Sequence, residues 1–201
     1  MVYSRWNFEL LMKKFQLTLR TVSLFPDVEP VLPDDWLQES LRRNRALSLI
    51  SEKSRSEFIV APILSSVRTY LKNEFYIYSG MQLNIDPAAG LQGECDFILA
   101  RTLAAVAVLS CPLLMIVEAK KQDFDEGLPQ CAAQLLGARK FNEKHGNPDR
   151  ILYGSVTTGS EWLFLRLTEN EIQINPDRYQ ISNLSQILGV LVAILKGSTK
   201  P

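Results

Sequence analysis

Residues Leu113 to Lys121 read L-L-M-I-V-E-A-K-K, an apolar run that ends in a carboxylate and two amines. The apolar and β-branched residues are typical of a strand buried on both faces. Because side chains alternate along a strand, the even-numbered residues from Leu114 to Lys120 are predicted to share one face. The core side would then run into the acid of Glu118 and the amine of Lys120, and a buried charge needs a partner or a metal ion. The alternative is that the strand emerges into solvent at Glu118.

The composition is that of an ordinary globular chain, with 201 residues, 46% hydrophobic and 22% charged. This length predicts one domain, with an N-terminal helical extension (1–50), a core (51–170) and a C-terminal strand and helix (171–201). No apolar run reaches the roughly 18 residues of a membrane span. The N-terminus also lacks the apolar segment of a signal peptide. We therefore expect a cytoplasmic protein with no membrane partner.

Cysteine and histidine content excludes several kinds of chemistry. Cys95, Cys111 and Cys131 are widely spaced, which favours reduced thiols over a disulfide framework or a zinc site. A single histidine, His145, nearly excludes a histidine-based triad or a His-rich metal site. The formal net charge is zero, which argues against tight stand-alone binding of duplex nucleic acid but leaves room for a local basic patch.

A helix predicted from about Glu52 to Lys72 places another acid near apolar residues. Its buried stripe runs from Val60 to Leu71, and Glu57 lies three residues before Val60 on the same face. A glutamate thus continues the apolar face of a core helix. The alternative is that Glu57 lies in an exposed first turn, where the helix dipole favours an acid.

Two further elements carry polar residues where core residues are expected. Asp96 lies on a predicted strand, Glu94 to Leu99, on the same face as Ile98. Gln130 and Gln134 share a face of a helix predicted from about Leu128 to Lys144, and the alternative is a polar surface face. Other patterns predict helices over 6–19, 35–44 with Asp35 as N-cap, and 184–196, and strands over 151–156, 162–167 and 171–174. Two short alternating segments around Gly80, 75–79 and 81–85, predict strand pieces or a hairpin. A second apolar run spans 103–109, and an acidic loop spans 122–127.

In chain order the sequence offers Glu57 on a helix, Asp96 on a strand, Glu118-x-Lys120 on the next strand and Gln130 on the following helix. This order resembles the PD-(D/E)XK, or restriction-endonuclease-like, nuclease superfamily over roughly residues 50 to 170, and small bacterial members over the whole chain. The superfamily's Pro-Asp pair is absent, because Cys95 precedes Asp96. The resemblance implies an α/β (mixed α+β) fold, in which a restriction-endonuclease-like core with a central mixed sheet is flanked by helices and an N-terminal helical layer.

The resemblance also implies a metal-dependent phosphodiester hydrolase, with DNA as the expected substrate and endonuclease action as the expected reaction. Asp96 and Glu118, with the backbone carbonyl of Ala119, are expected to bind Mg²⁺ or Mn²⁺. Hard oxygen ligands suit such cations and leave positions for water and phosphate. Glu57 is expected to add a ligand, directly or through water, or to hold a second ion.

The remaining site residues are assigned by the same resemblance. Lys120 is expected to orient the attacking water or stabilise the transition state, and to stay charged because acids surround it. Gln130, and Gln134 one turn later, are expected to position water, the lysine or a phosphate. These roles complete the expected catalytic set.

Nucleic-acid contacts are predicted only from charge and from proximity in sequence. The candidate phosphate contacts are Lys53, Arg55, Arg68, Lys121, Arg139 and Lys140. Each of them can equally be an ordinary solvated charge. The acidic loop would repel a duplex, which indicates weak binding, a single-stranded or flapped substrate, or a helper subunit. By analogy with nucleases that cut both strands, a homodimer is a further expectation.

Two alternatives remain open from the sequence. In the first, the fold is kept but the protein is a catalytically inactive nucleic-acid-binding or regulatory subunit. In the second, an unrelated α/β protein uses these acids in structural salt bridges. Under the second alternative, Glu57, Asp96, Glu118 and Lys120 need not converge.

Overall fold

A computed structural model describes residues 1–101, 108–121, 124–148 and 151–197 of the protein. Most of the predicted apolar run 103–109 and part of the acidic loop 122–127 lie outside the described residues. The helices are α1 (Phe8–Phe15), α2 (Asp35–Asn44), α3 (Glu52–Arg55), α4 (Ala61–Tyr70), α5 (Phe124–Lys144) and α6 (Leu184–Gly197), and a π-helical turn (Ser56–Val60) joins α3 to α4. The strands are β1 (Thr18–Thr21), β2 (Tyr76–Gln82), β3 (Glu94–Ala100), β4 (Leu113–Ala119), β5 (Leu152–Thr157), β6 (Glu161–Leu167), β7 (Glu171–Ile174) and β8 (Tyr179–Gln180).

The described strands form one mixed sheet in the order β1-β7-β6-β5-β4-β3-β2, and β8 pairs with β6. Strand β4 is antiparallel to β3 and parallel to β5. Parallel neighbours need a crossover connection, and α5 supplies it. The predicted mixed α/β class, with a central mixed sheet flanked by helices, is confirmed.

Two apolar cores cover the two faces of the sheet. The first core joins α5 to sheet residues such as Ile98 and Ile116. The second core joins α4 and α6 to Val117 and Phe164. Among the described residues, no helix is both long enough and apolar enough to cross a membrane.

The first part of the chain differs from the prediction in two respects. The helix predicted over 6–19 ends at Phe15, because Gln16 takes the left-handed conformation with φ of 53°. Residues Thr18–Thr21 then form an edge strand beside β7. The predicted N-cap Asp35 is also wrong, because the side chain of Asp34 accepts the hydrogen bond from the Leu37 N–H at 2.7 Å.

A bulge in β4 changes the predicted alternation of side chains. Leu99 pairs with Met115 and Ala100 pairs with Leu113, so Leu114 is an extra residue. Leu114 packs in the second core, whereas Ile116 packs in the first. The shared face predicted from Leu114 is therefore wrong at Leu114 and begins at Ile116.

Close packing of α6 makes a strong prediction at Gly189. A Cβ atom there would lie 2.3 Å from the backbone oxygen of Glu29, whereas a Cβ atom on Gly197, in the same helix, would meet no atom within 4 Å. Alanine normally favours a helix over glycine by about 1 kcal/mol. We expect Gly189→Ala to lower the free energy of unfolding by about 1–3 kcal/mol despite this gain, because α6 must shift. Urea denaturation measures this loss of stability, with Gly197→Ala as the matched control. Equal stabilities of the two variants would contradict the close contact between Gly189 and Glu29.

Candidate functional site

Glu118 lies at the end of β4 and is only 3% exposed. Its Oε1 atom lies 3.0 Å from Lys120 Nζ and accepts a hydrogen bond from Gln130 Nε2. Its Oε2 atom accepts a hydrogen bond from Gln134 Nε2 at 2.8 Å. Three donors thus compensate the burial of one carboxylate, and the alternative of a solvent-exposed strand end is wrong.

The two glutamines of α5 reach this carboxylate from the helix that covers the sheet. Gln130 bridges the ion pair, since its Oε1 atom accepts from Lys120 Nζ at 2.9 Å while its amide nitrogen donates to Glu118. Gln134 is fully buried and also donates to the backbone oxygen of Glu94 at 3.3 Å. The Oε1 atom of Gln134 is buried and has no hydrogen-bond partner. The predicted shared face is therefore confirmed, and the alternative of a polar surface face is wrong.

Asp96 enters the same group from β3. Phe97 of β3 pairs with Val117 of the antiparallel β4; Asp96 directly precedes Phe97 and Glu118 directly follows Val117, so both lie on the same side of this pair. The Asp96 Oδ2 atom accepts a hydrogen bond from the Ala119 N–H at 2.7 Å. The two acids predicted from separate strands thus lie at one end of the sheet.

Burial raises the pKa values of both acids of this site, and repulsion between them adds to the shift at Glu118. Burial, and then the nearby Asp96 carboxylate, raise the pKa of Glu118 to about 7, although Lys120 and Gln134 oppose the shift. Burial also raises the pKa of Asp96, against the opposing effects of the Ala119 N–H and Lys120. For Lys120, burial lowers the pKa, but the surrounding acids, above all Glu118, outweigh burial and raise it. Lys120 therefore carries its charge at neutral pH.

The raised pKa of Glu118 predicts that the stability of the fold depends on pH. Its pKa rises from 4.5 to about 7 on folding, so between these values the folded chain holds a proton that the unfolded chain has lost. We expect the free energy of unfolding to fall by on the order of 3 kcal/mol as pH rises from 4.5 to 7, with no further loss from this group above 7.

Denaturation of the metal-free protein at pH 5 and pH 8, in the presence of a chelator, measures this effect. The difference between the two pH values should shrink in Glu118→Gln. It should persist in Glu9→Gln, a control at an exposed residue of α1. An unchanged difference in Glu118→Gln would show that Glu118 is already ionised at pH 5.

Glu57 does not join the group, and Glu52 comes nearer to it. Glu57 has 52% of its side chain exposed and lies 3.8 Å from Lys53. The prediction that Glu57 continues the buried stripe is wrong, because the π-helical turn widens the helix there and changes the phase of its faces. Glu52 accepts the backbone N–H of Lys121 at 3.2 Å, and its charge raises the pKa values of Asp96 and Lys120. A capping box begun by Ser51 fixes this turn.

Gly127, in the first part of α5, is a second residue that the sequence did not single out. A Cβ atom there would lie 2.5 Å from Val156 Cγ1 and 3.1 Å from Lys120 Cγ. The absence of a side chain lets α5 approach the sheet beside the stem of Lys120. Nothing in the sequence pattern marks such a contact, because it joins residues on two elements.

Most of the basic residues predicted to bind phosphate are already engaged. Arg55 donates to the backbone oxygens of Leu49 and Thr158. Arg139 donates to those of Thr168 and Glu169.

Other basic residues also have partners within the protein. Lys140 lies 2.7 Å from Asp86 Oδ2, and Arg68 donates to Phe75 O. Lys53 and Lys121 are exposed; Lys53 Nζ lies 3.8 Å from Glu57, and the backbone N–H of Lys121 donates to Glu52.

The oxygen atoms at this end of the sheet suit a hard cation. The carboxylates of Asp96 and Glu118 lie near enough there for one to raise the pKa of the other, and the Gln134 Oε1 atom is a buried oxygen without a donor. Among the described residues, no three His, Cys, Asp or Glu side chains form a ready metal-binding group. Mg²⁺ commonly binds one or two carboxylates and keeps several waters, so the residues fit a hydrated Mg²⁺ or Mn²⁺ ion.

The fold and the site define a mixed α/β protein with a buried acid–lysine centre at one end of its sheet. Searches of protein-family models and of curated proteins give no match to this chain.

Proposed function

We propose that this protein is a metal-dependent phosphodiester hydrolase acting on nucleic acid, with DNA as the first substrate to test. The observation that carries the proposal is that Glu118 and Lys120 pair under two glutamines of α5, while Asp96 of the neighbouring strand lies near enough to act electrostatically on both. Such a concentration of perturbed titratable groups is characteristic of catalytic sites. The order helix, β2–β3, β4, α5, β5 also supports a restriction-endonuclease-like core.

The chemistry would divide between the acids and the ammonium. Asp96 and Glu118, with the carbonyl of Ala119, would hold Mg²⁺ or Mn²⁺, which supplies charge neutralisation and a more acidic water. Lys120 would place its positive charge beside the phosphate and stabilise the charge that develops during cleavage. Gln130 would orient the Lys120 amine, because its amide oxygen already accepts from that group.

A specific observation supports a second candidate, a non-catalytic nucleic-acid-binding or regulatory protein. Both oxygens of Glu118 already accept hydrogen bonds or an ion pair from within the protein. A cation at Glu118 would compete with these donors for the carboxylate oxygens. A centre that never releases Glu118 would be a structural ion pair.

Titration calorimetry with Mn²⁺ and Mg²⁺ distinguishes the two candidates. For the hydrolase, we expect metal binding that is lost in Asp96→Ala and retained in Glu9→Gln. A cleavage panel of single-stranded, duplex, branched and RNA substrates with Mn²⁺ then identifies the substrate. Metal binding that is unchanged in Asp96→Ala, together with no cleavage of any substrate, would contradict the hydrolase and favour the non-catalytic binding protein.

A further inference from the structure

An exposed tryptophan marks one face of α2. Trp36 is 56% exposed. Together with Ser40, Arg43 and Asn44 it lines a cavity of about 350 Å³, to which Glu39 also contributes. Ser40, Arg43 and Asn44 lie four, seven and eight residues after Trp36, so the four side chains share one face of the helix. An indole ring left in solvent beside an arginine is a ready surface for stacking a flat, anionic partner.

Arginines gather at the C-terminal end of α2 and at the residue that follows it. Arg42, Arg43 and Arg45 lie within four residues, and the acids Asp34, Asp35 and Glu39 precede them. Glu39 Oε2 lies 2.6 Å from Arg42 Nε, and Glu39 Oε1 lies 2.7 Å from Arg43 Nε. Arg42 holds Glu39 through two hydrogen bonds, whereas Arg43 makes a single exposed bond to it, so a phosphate can compete for the Arg43 guanidinium.

A second cavity adjoins the first one along α2. It has a volume of about 750 Å³ and shares Glu39 and Asn44 with the first. Its lining combines the charged residues Asp35, Arg42 and Arg45 with the apolar residues Leu41, Leu49, Ile59, Ile181 and Leu184, and with Gln38 and Ser160. Both cavities fall in the range of roughly 300–1,000 Å³ that is usual for small-ligand sites.

Backbone contacts connect this second cavity to the site. Arg55 donates to the oxygen of Leu49, which lines the cavity, and to the oxygen of Thr158. The adjacent Thr157 oxygen accepts the backbone N–H of Lys120 at 2.8 Å. The turn that follows β5 therefore contacts both the residues that line this cavity and the backbone of Lys120.

We infer that the two cavities of α2 form a binding track for single-stranded nucleic acid, with a base stacked on Trp36 and phosphates on Arg43 and Arg45. The inference rests on the proposed function, since it names the form of the substrate that reaches the site. A single strand fits better than a duplex, because its bases are free to stack on an aromatic ring and to enter an apolar cavity. A duplex keeps those base faces covered.

The test measures fluorescence anisotropy of a labelled oligothymidylate of about 12 nucleotides, within the usual range of site sizes. Asp96→Ala in a chelator serves as the parent chain, so that binding is measured without cleavage. We expect Trp36→Ala to weaken binding by about 5- to 100-fold and Trp36→Phe to retain most of it. Arg43→Ala and Arg45→Ala should each weaken binding and reduce the slope of affinity against salt concentration by about one.

Controls separate this track from surface charge and from the hydrolase. Leu32→Ala and Arg20→Ala change residues that are also strongly exposed, and both should bind like the parent. Three outcomes would each overturn the track. They are binding that is unchanged in Trp36→Ala, a duplex that binds as tightly as the single strand, and self-association that is lost in Trp36→Ala. Cleavage by the unmodified protein with binding independent of Trp36 would overturn the track alone. Trp36-dependent binding without metal binding or cleavage would support the surface and overturn the hydrolase.

Discussion

Replacing Lys120 with methionine is expected to reduce phosphodiester cleavage by about 100- to 1,000-fold, the usual cost of removing one charged group that stabilises a transition state. The Lys120 amine contacts Glu118 at 3.0 Å and Gln130 at 2.9 Å, and it is the cation that these two residues hold in place. Methionine keeps an unbranched stem beside Gly127 and removes the ammonium with its charge and its hydrogen bonds. The neighbouring acid can then take up a proton, because the pKa of Glu118 is already about 7.

Circular dichroism and a single-turnover cleavage assay with Mn²⁺ measure this prediction. The folded content should be retained at neutral pH while the rate falls. Lys13→Met makes the same chemical change at an exposed lysine of α1 and should cleave like the natural chain. Full activity in Lys120→Met would remove this residue from the mechanism.

Replacing Asn142 with alanine is expected to destabilise the fold by about 2–5 kcal/mol, because two buried backbone groups would lose their partners. Asn142 is 1% exposed and lies near the end of α5. Its side chain accepts from the Leu113 N–H at 2.8 Å and donates to the Leu113 oxygen at 2.9 Å. The pair of bonds fixes the first residue of β4 to the helix that carries Gln130 and Gln134.

Thermal and urea denaturation of Asn142→Ala measure the effect, which should lower Tm by about 5–15 °C for a chain of this size. Glu143→Ala removes the next side chain, which is 46% exposed, and should stay within about 0.5 kcal/mol of the natural chain. Similar stabilities of Asn142→Ala and the natural chain would mean that water replaces both bonds at Leu113.

The local sequence pattern predicted most of the helices and strands, because the burial of one face makes apolar residues recur at a regular spacing. The apolar run Leu113–Ala119 became a fully buried strand, and the pattern over 171–174 became β7. The two glutamines also fell on one helix face as their spacing required. The same reasoning failed at Glu57, since one wide turn changes which residues face the core and leaves no mark in composition.

The sequence alone determined the residue types of the candidate centre and their order on the strands and the helix. A carboxylate at the end of an apolar strand must find donors wherever it lies, and this requirement can be read without coordinates. Only the tertiary structure decided which partners meet it. The choice of Glu52 over Glu57, the contact of Gly127 with the Lys120 stem and the Asn142 bonds to Leu113 all join residues on different elements. Such contacts depend on the packing of elements against one another, and no local period in the chain records that packing.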